Sequence, residues 1–136
     1  MSHISGSETP ASTPVEQPAW TDTVKQAVDG HLRSFFACKR ADAEALSGPS
    51  LRMVEVLEDF TMRGGKRTRP AVLMAGHAAV SDTPEQDTLL DACASLELLQ
   101  SYLLAHDDWM DQDDERRGGP AIHRVFEADH RDAHLG

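Results

Sequence analysis

The stretch that decides the fold and the site runs from His106 to Pro120 and reads HDDWMDQDDERRGGP. Six of the nine residues from Asp107 to Glu115 are acidic, and they follow a long apolar segment with helical periodicity. Each carboxylate in the last turn of a helix is unfavourable by about 0.3–1 kcal/mol, because the free carbonyls there already carry negative partial charge. Asp107 and Asp111, one helical turn apart, also repel each other. An unfavourable charge pattern without local compensation is typical of a functional site.

The spacing of these carboxylates predicts a metal site. Asp107 and Asp111 lie on one face of the helix, so their oxygens point the same way. Hard oxygen donors favour Mg²⁺, Mn²⁺ or Ca²⁺ over zinc. Two carboxylates do not fill an octahedral shell, and Mg²⁺ usually takes its other ligands from water and phosphate. The run therefore predicts metal ions that bridge this helix to a phosphorylated ligand; a solvated acidic surface is the alternative interpretation.

A basic segment, GGKRTRP at residues 64–70, stands out in an otherwise acidic chain. Its glycines can end one helix in a left-handed conformation, and Pro70 can open the next helix in its first turn. Lys66, Arg67 and Arg69 therefore lie at a helix N-terminus, where free backbone amides also attract anions. The pattern indicates phosphate binding, with ordinary helix-breaking sequence beside basic residues as the alternative.

A second basic group, Arg116 and Arg117, follows the acidic run directly. Arginine donates two parallel hydrogen bonds to phosphate, so this pair suits a diphosphate ligand. Charge balance for the neighbouring carboxylates is the alternative.

Together these segments resemble the trans-isoprenyl diphosphate synthases, also called polyprenyl synthetases. A lone DDxxD motif is weak support, whereas GGKRxRP, then DDxxD, then RRG in this order and spacing is specific. The resemblance covers about Trp20 to the end of the chain. Four stretches carry it: GGKRTRP at 64–70, ELLQSY at 97–102, HDDWMD at 106–111, and RRGGP at 116–120 with His123.

The resemblance implies roles for the acidic motif. Asp107 and Asp111, with Asp108 in support, would be the catalytic carboxylates and would hold Mg²⁺, or Mn²⁺ in its place, against an allylic diphosphate. Arg116 would contact the same diphosphate. The reaction implied is head-to-tail condensation, in which the metal ions act as Lewis acids while the allylic C–O bond breaks.

The resemblance also implies a site for isopentenyl diphosphate and a limit on product length. Tyr102, five residues before the first aspartate of DDxxD, resembles short-chain synthases with products of roughly fifteen to twenty carbons, and Leu103 lies beside it. The complete protein is expected to be a homodimer. The residues expected to bind the two substrates are Lys66, Arg67, Arg69, Gln100, Arg116 and Arg117.

Composition limits the partners. The 136 residues carry a net charge of −10 and a pI of about 5.0, which argues against nucleic acid or an anionic membrane surface as a partner. Cys38 and Cys93 form neither a disulfide framework nor a metal-ligand spacing, and Cys93 is predicted to be a buried thiol. No apolar run reaches the roughly 18 residues of a transmembrane helix. The first 24 residues lack Lys, Arg and an apolar h-region, so a cytoplasmic location is predicted.

The periodicity predicts an all-α protein, the first helices of an isoprenoid-synthase-type bundle, without strands. Residues 1–18 are predicted to be a disordered tail, and residues 19–136 the N-terminal part of the helical domain. The longest helix carries a stripe of apolar residues that ends in the acidic cluster, as a prenyl chain below a diphosphate requires. The predicted helices run from Trp20 or Thr21 to about Leu46, from Ser50 to Met62, from Pro70 to Val80, from about Thr83 to Asp114, and from Ala121 to His134.

One feature of the family is missing. Its enzymes are about twice as long and carry a second aspartate-rich motif, for which this chain offers no candidate. We therefore expect a truncated or N-terminal part of a synthase that does not catalyse condensation at a normal rate by itself. The alternatives are a non-catalytic subunit of a complete synthase and part of a class I terpene cyclase; the latter would not need Lys66 and Arg69 for isopentenyl diphosphate.

Overall fold

The computed structural model describes residues 19–81 and 86–133, which form five helices and one short hairpin. This confirms the predicted all-α class. The elements in chain order are α1 (Ala19–Leu46), α2 (Gly48–Met62), α3 (Thr68–Val80), α4 (Gln86–Asp111), β1 (Glu115–Arg116), β2 (Gly119–Pro120) and α5 (Ile122–Asp132). The predicted tail, the predicted start of α4 at Thr83 and the predicted end of α5 at His134 lie outside the described residues.

The breaks between the first helices follow the predicted turn chemistry. Ser47 separates α1 from α2 and caps α2 by accepting a hydrogen bond from the amide of Ser50 at 3.2 Å, with proline in the first turn of the helix. Gly64 and Gly65 follow the end of α2 with φ angles of +121° and +133°. These values suit glycine, which has no Cβ, and they allow the chain to turn sharply before α3.

The end of α4 differs from the prediction. The helix stops at Asp111 rather than near Asp114, because Gln112 takes a left-handed conformation with φ of +57°. The amide of Asp113 then donates to the carbonyl of Asp108 at 2.9 Å, the hydrogen bond of a Schellman cap. The acidic run is thus divided between the helix and the following loop.

The hairpin was not predicted. Its strands are only two residues long, so they lack the alternation by which a sequence reveals a strand. Arg117 and Gly118 form its turn with φ angles of +53° and +75°, as a type I′ turn requires. The hairpin returns the chain towards α2 and places Arg117 at its tip.

The core lies where α1 packs against α4, with α2 and α3 on its flanks. Cys93 is fully buried within it, which confirms the prediction, and desolvation raises the pKa of its thiol. Only part of the surface of α4 is covered in this way, since large apolar residues near its C-terminal end stay exposed. The buried core cluster consists of Val28, Leu32, Phe36, Cys93 and Ala94.

Within the described residues, none of the helices has both the length and the apolar character needed to cross a membrane.

Candidate functional site

The acidic end of α4, Asp107 to Asp111, separates its carboxylates into two environments. Asp107 and Asp111 are exposed, and neither has a hydrogen-bond or ion-pair partner within residues 19–81 and 86–133. The described part of the chain contains no group of three or more His, Cys, Asp or Glu side chains placed to hold a metal ion. Asp107 and Asp111 therefore offer exposed oxygen donors at the end of α4, and Mg²⁺ commonly completes its ligand shell with water and phosphate.

Asp108 is the buried member of this motif. Its side chain is 0 % exposed, and one carboxylate oxygen accepts hydrogen bonds from Nε and Nη2 of Arg116. The other oxygen is buried without a hydrogen-bond partner among the described residues. Asp108 thus ties the end of α4 to strand β1 and does not share the exposed position of Asp107 and Asp111.

Arg116 is held by two carboxylates. Hydrogen bonding to Asp108 raises the pKa of Arg116, and Nη2 also reaches Asp113 at 3.3 Å. The third nitrogen, Nη1, has no partner among the described residues. Arg116 therefore does balance the charge of neighbouring carboxylates, which was the alternative to phosphate binding. Its Nη1 is still available to donate to a ligand.

The basic loop, Gly64 to Arg69, also has both exposed and buried charged side chains. Lys66 and Arg69 are exposed and have no partner within the described ranges, so both ammonium and guanidinium groups are available to an anion. They flank the N-terminus of α3, which begins at Thr68. This arrangement confirms that these cations lie at a helix N-terminus.

Arg67 lies between those two cations but points into the protein. It is 3 % exposed, and its left-handed backbone, with φ of +49°, turns its side chain away from its neighbours. Its guanidinium donates to Asp29 at 2.8 Å, to Glu97 at 2.5 Å and to the carbonyl of Thr61 at 3.1 Å. Each nitrogen of the buried guanidinium has a partner within the protein, which contradicts the predicted substrate-binding role of Arg67.

Asp29 is bound by Lys25 as well as by the buried Arg67. Burial by itself raises the pKa of this carboxyl, but hydrogen bonds from Lys25 and Arg67 outweigh that effect, and the pKa is lowered overall. Asp29 therefore stays charged beside Arg67, and the two residues join α1 to the basic loop.

The hairpin brings the acidic end and the basic loop together. Arg117 at its tip donates Nη1 to the carbonyl of Gly64 at 2.6 Å, and its guanidinium lies over Gly65. Arg63, at the end of α2, donates to the carbonyl of Pro120 at 2.6 Å in return. Arg63 was not recognised as a site residue from sequence; its position directly before two glycines is the signal that could have pointed to it.

The remaining predicted residues lie along α4 before the acidic end. Gln100 is half-buried, whereas Tyr102 and Leu103 are 62 % and 48 % exposed. The ring of Tyr102 lies 6.3 Å from that of His106. The two residues predicted to limit product length therefore border an open surface one to two turns before Asp107.

The sequence of this chain is similar to those of known proteins. The family model described as polyprenyl synthetase matches residues 51–131. A short chain isoprenyl diphosphate synthase of Methanocaldococcus jannaschii is 46 % identical over 63 residues, covering 46 % of this chain and 19 % of that protein. A farnesyl diphosphate synthase of Geobacillus stearothermophilus is 38 % identical over 104 residues, covering 75 % of this chain and 32 % of that protein.

A solved structure has a similar fold. It is a geranylgeranyl pyrophosphate synthase from Corynebacterium glutamicum in complex with isoprenyl diphosphate and magnesium, with a TM-score of 0.76 and 34 % sequence identity. The match covers 85 % of this chain and 34 % of that one. The chain spans between about a fifth and a third of the length of the curated relatives it matches.

Proposed function

Because the chain belongs to the polyprenyl synthetase family, we propose that it acts in the condensation of an allylic diphosphate with isopentenyl diphosphate. The observation that supports this proposal is the contact between Arg117 and Gly64 of the basic loop, because the same hairpin also binds Asp108 of the acidic end through Arg116. An exposed pair of carboxylates and a group of exposed cations are what two diphosphates and their counter-ions need.

The acidic end fits a divalent cation. Asp107 and Asp111 are exposed, carry hard oxygen donors and have no basic side chain bound to them among the described residues. Mg²⁺, or Mn²⁺ in its place, would when bound act as a Lewis acid that stabilises charge on the leaving diphosphate. Arg116 is fixed by Asp108 and would give its free Nη1 to the same diphosphate.

The basic loop would hold the second substrate. Lys66, Arg69 and Arg117 would bind the diphosphate of isopentenyl diphosphate, with Gln100 on the facing helix in support. When the allylic C–O bond breaks, its electron pair leaves with the diphosphate. The double bond of isopentenyl diphosphate then supplies the pair for the new C–C bond, and loss of a proton restores a double bond.

We propose a short-chain product of roughly fifteen to twenty carbons, because Tyr102, five residues before Asp107, resembles the residue that short-chain synthases have there. Tyr102 and its neighbour Leu103 are exposed on α4. Their exposure also bears on the rate. A carbocation on this surface would meet water, and excluding water is a requirement of the reaction. We therefore expect the 136-residue chain by itself to turn over isopentenyl diphosphate far more slowly than a complete synthase.

An alternative proposal is a non-catalytic subunit that pairs with a complete synthase. It draws on the exposed apolar side chains near the end of α4, because such patches often mark protein interfaces. The exposed apolar residues are Leu99, Leu103, Trp109 and Met110. The homodimer that the family resemblance implies is likewise a proposal.

The test is Mg²⁺-dependent incorporation of isopentenyl diphosphate by the protein expressed from its own gene. Lys66→Ala should raise the KM for isopentenyl diphosphate about tenfold and leave the KM for the allylic substrate unchanged, because a charge-assisted hydrogen bond is lost at one subsite only. Asp111→Asn should lower kcat instead. A stable hetero-oligomer without turnover would support the subunit, and an unchanged KM in Lys66→Ala would contradict the assignment of this lysine.

A further inference from the structure

Two arginines join the basic loop and the hairpin in a reciprocal manner, and we call this pair the arginine clasp. Arg63, just before the basic loop, donates Nη1 to the carbonyl of Pro120 in β2 at 2.6 Å. Arg117, in the hairpin, donates Nη1 to the carbonyl of Gly64 in the basic loop at 2.6 Å. Each segment thus supplies one charged donor and one backbone acceptor to the other.

A glycine lies opposite each arginine. A Cβ added at Gly119 would lie 2.6 Å from the guanidinium carbon of Arg63, closer than real Cβ contacts allow. Gly119 is not among the positive-φ residues, so its lack of a side chain leaves room for Arg63 and does not serve an unusual backbone conformation. At Gly65 the corresponding distances to the guanidinium of Arg117 are 3.6–3.7 Å, an ordinary contact.

Each of the three nitrogens of the Arg63 guanidinium already has a partner within the protein. Its Nε and Nη2 donate to Asp59, one turn earlier in α2, and its Nη1 to Pro120. Its side chain is only 14 % exposed, whereas Lys66 and Arg117 are exposed. The guanidinium is therefore held between α2 and β2 and acts on the site only through the hairpin.

We propose that Arg63 is a positioning residue for the diphosphate site: it fixes the hairpin against the basic loop and so sets the spacing between Arg117 and the cations Lys66 and Arg69. This inference rests on the proposed function. Groups that are held in the binding geometry before the ligand arrives need no ordering when it binds, and this raises affinity. Loss of Arg63 should therefore weaken diphosphate binding although Arg63 does not touch the ligand.

The test compares two arginines of the same helix in the protein expressed from its own gene. In Arg63→Gln, the KM for isopentenyl diphosphate should rise about tenfold, in line with the loss of charge-assisted hydrogen bonds, while kcat stays within about twofold. Arg52→Gln is the matched control. Arg52 lies at the opposite end of α2, and its Nε and Nη2 also donate to one carboxylate, that of Asp129 in α5. Its KM should match that of the wild type.

A second variant is designed to displace the side chain of Arg63 without replacing this residue. Gly119→Ala should displace the guanidinium of Arg63 rather than strain the backbone, since the group that the new Cβ meets is the end of a flexible side chain. It should reproduce the rise in KM, and Arg63→Gln/Gly119→Ala should be no worse than either single change because both remove the same contact. A fall in melting temperature with an unchanged KM would reduce Arg63 to a merely structural residue and overturn the inference.

Binding of inorganic pyrophosphate, measured by calorimetry, separates this inference from the proposed function. If the protein expressed from its own gene does not turn over isopentenyl diphosphate, the proposed condensation fails, but a tenfold loss of pyrophosphate affinity in Arg63→Gln and not in Arg52→Gln still supports the clasp. Faster amide exchange at both residues 64–69 and 115–120 should accompany it. Equal pyrophosphate affinity in the two variants, or a wild type without measurable affinity, overturns the inference.

Discussion

The basic loop and the acidic end of α4 each bury one charge and expose the others, but they differ in how completely the buried charge is satisfied. Arg67 donates to two carboxylates and a carbonyl, so all three of its nitrogens are used. Among the described residues the carboxylate of Asp108 accepts only from Arg116, and one of its two oxygens has no partner there. The loop is therefore anchored by a saturated network, whereas the acidic end is anchored by an ion pair that is incomplete.

The difference teaches that membership in a charged motif does not imply contact with a ligand. In each motif the anchor holds the backbone in place, and the exposed neighbours remain free to bind. Breaking the saturated anchor should therefore affect stability most, and changes at the exposed positions should affect stability least.

The largest effect is expected at Arg67. Arg67→Met leaves Asp29 and Glu97 buried without their shared partner, and removal of one member of a buried ion pair costs about 3–5 kcal/mol. Urea denaturation of the 136-residue chain should show this loss in the free energy of unfolding. Lys66→Met, the exposed neighbour, is the control and should stay within about 0.5 kcal/mol of the wild type. Equal effects of the two substitutions would remove the distinction between anchor and ligand-binding positions.

A smaller effect is expected at Asp108. Asp108→Asn keeps the shape of the side chain but removes the charge that holds Arg116, and we expect a loss of about 1–3 kcal/mol, the range for a buried polar group that loses its partner. The loss should be below that of Arg67→Met because one oxygen of Asp108 already lacks a partner. The same denaturation series measures both. A loss at Asp108 larger than that at Arg67 would reverse the comparison.

The sequence predicts the backbone of this arrangement better than it predicts the positions of the charged side chains. The limits of α1 and α2 follow from local signals such as the Ser47 cap, and the prediction was confirmed within two residues. The hairpin was missed because two-residue strands have no periodicity. The burial of Arg67 could not be predicted, because it depends on a left-handed backbone at a residue other than glycine and on carboxylates 38 and 30 positions away in sequence.

The anchor of the basic loop should also respond to pH. The pKa of Asp29 is lowered in the folded protein, so its contribution to stability is fully present above the unfolded pKa of about 3.9 and is lost as the pH falls through the lower folded value. The difference in the free energy of unfolding between the wild type and Asp29→Asn should therefore be constant near neutral pH and should narrow below about pH 4. A difference that grows on acidification would mean that the folded pKa of Asp29 is raised.

The smallest effect is expected at the exposed carboxylates, and its sign depends on metal. Without Mg²⁺, Asp107→Asn should stabilise the chain by about 0.3–1 kcal/mol, because it removes a negative charge near the C-terminal end of α4. Asp87→Asn is the matched control: it changes the same residue type in the first turn of the same helix, where the charge is favourable, so it should destabilise the chain slightly. If Asp107 and Asp111 bind Mg²⁺, adding the metal should raise the melting temperature of the wild type and of Asp87→Asn but not that of Asp107→Asn, since a ligand stabilises only the state that binds it. Equal shifts in all three proteins would place any bound Mg²⁺ elsewhere and would leave the acidic end as a solvated surface.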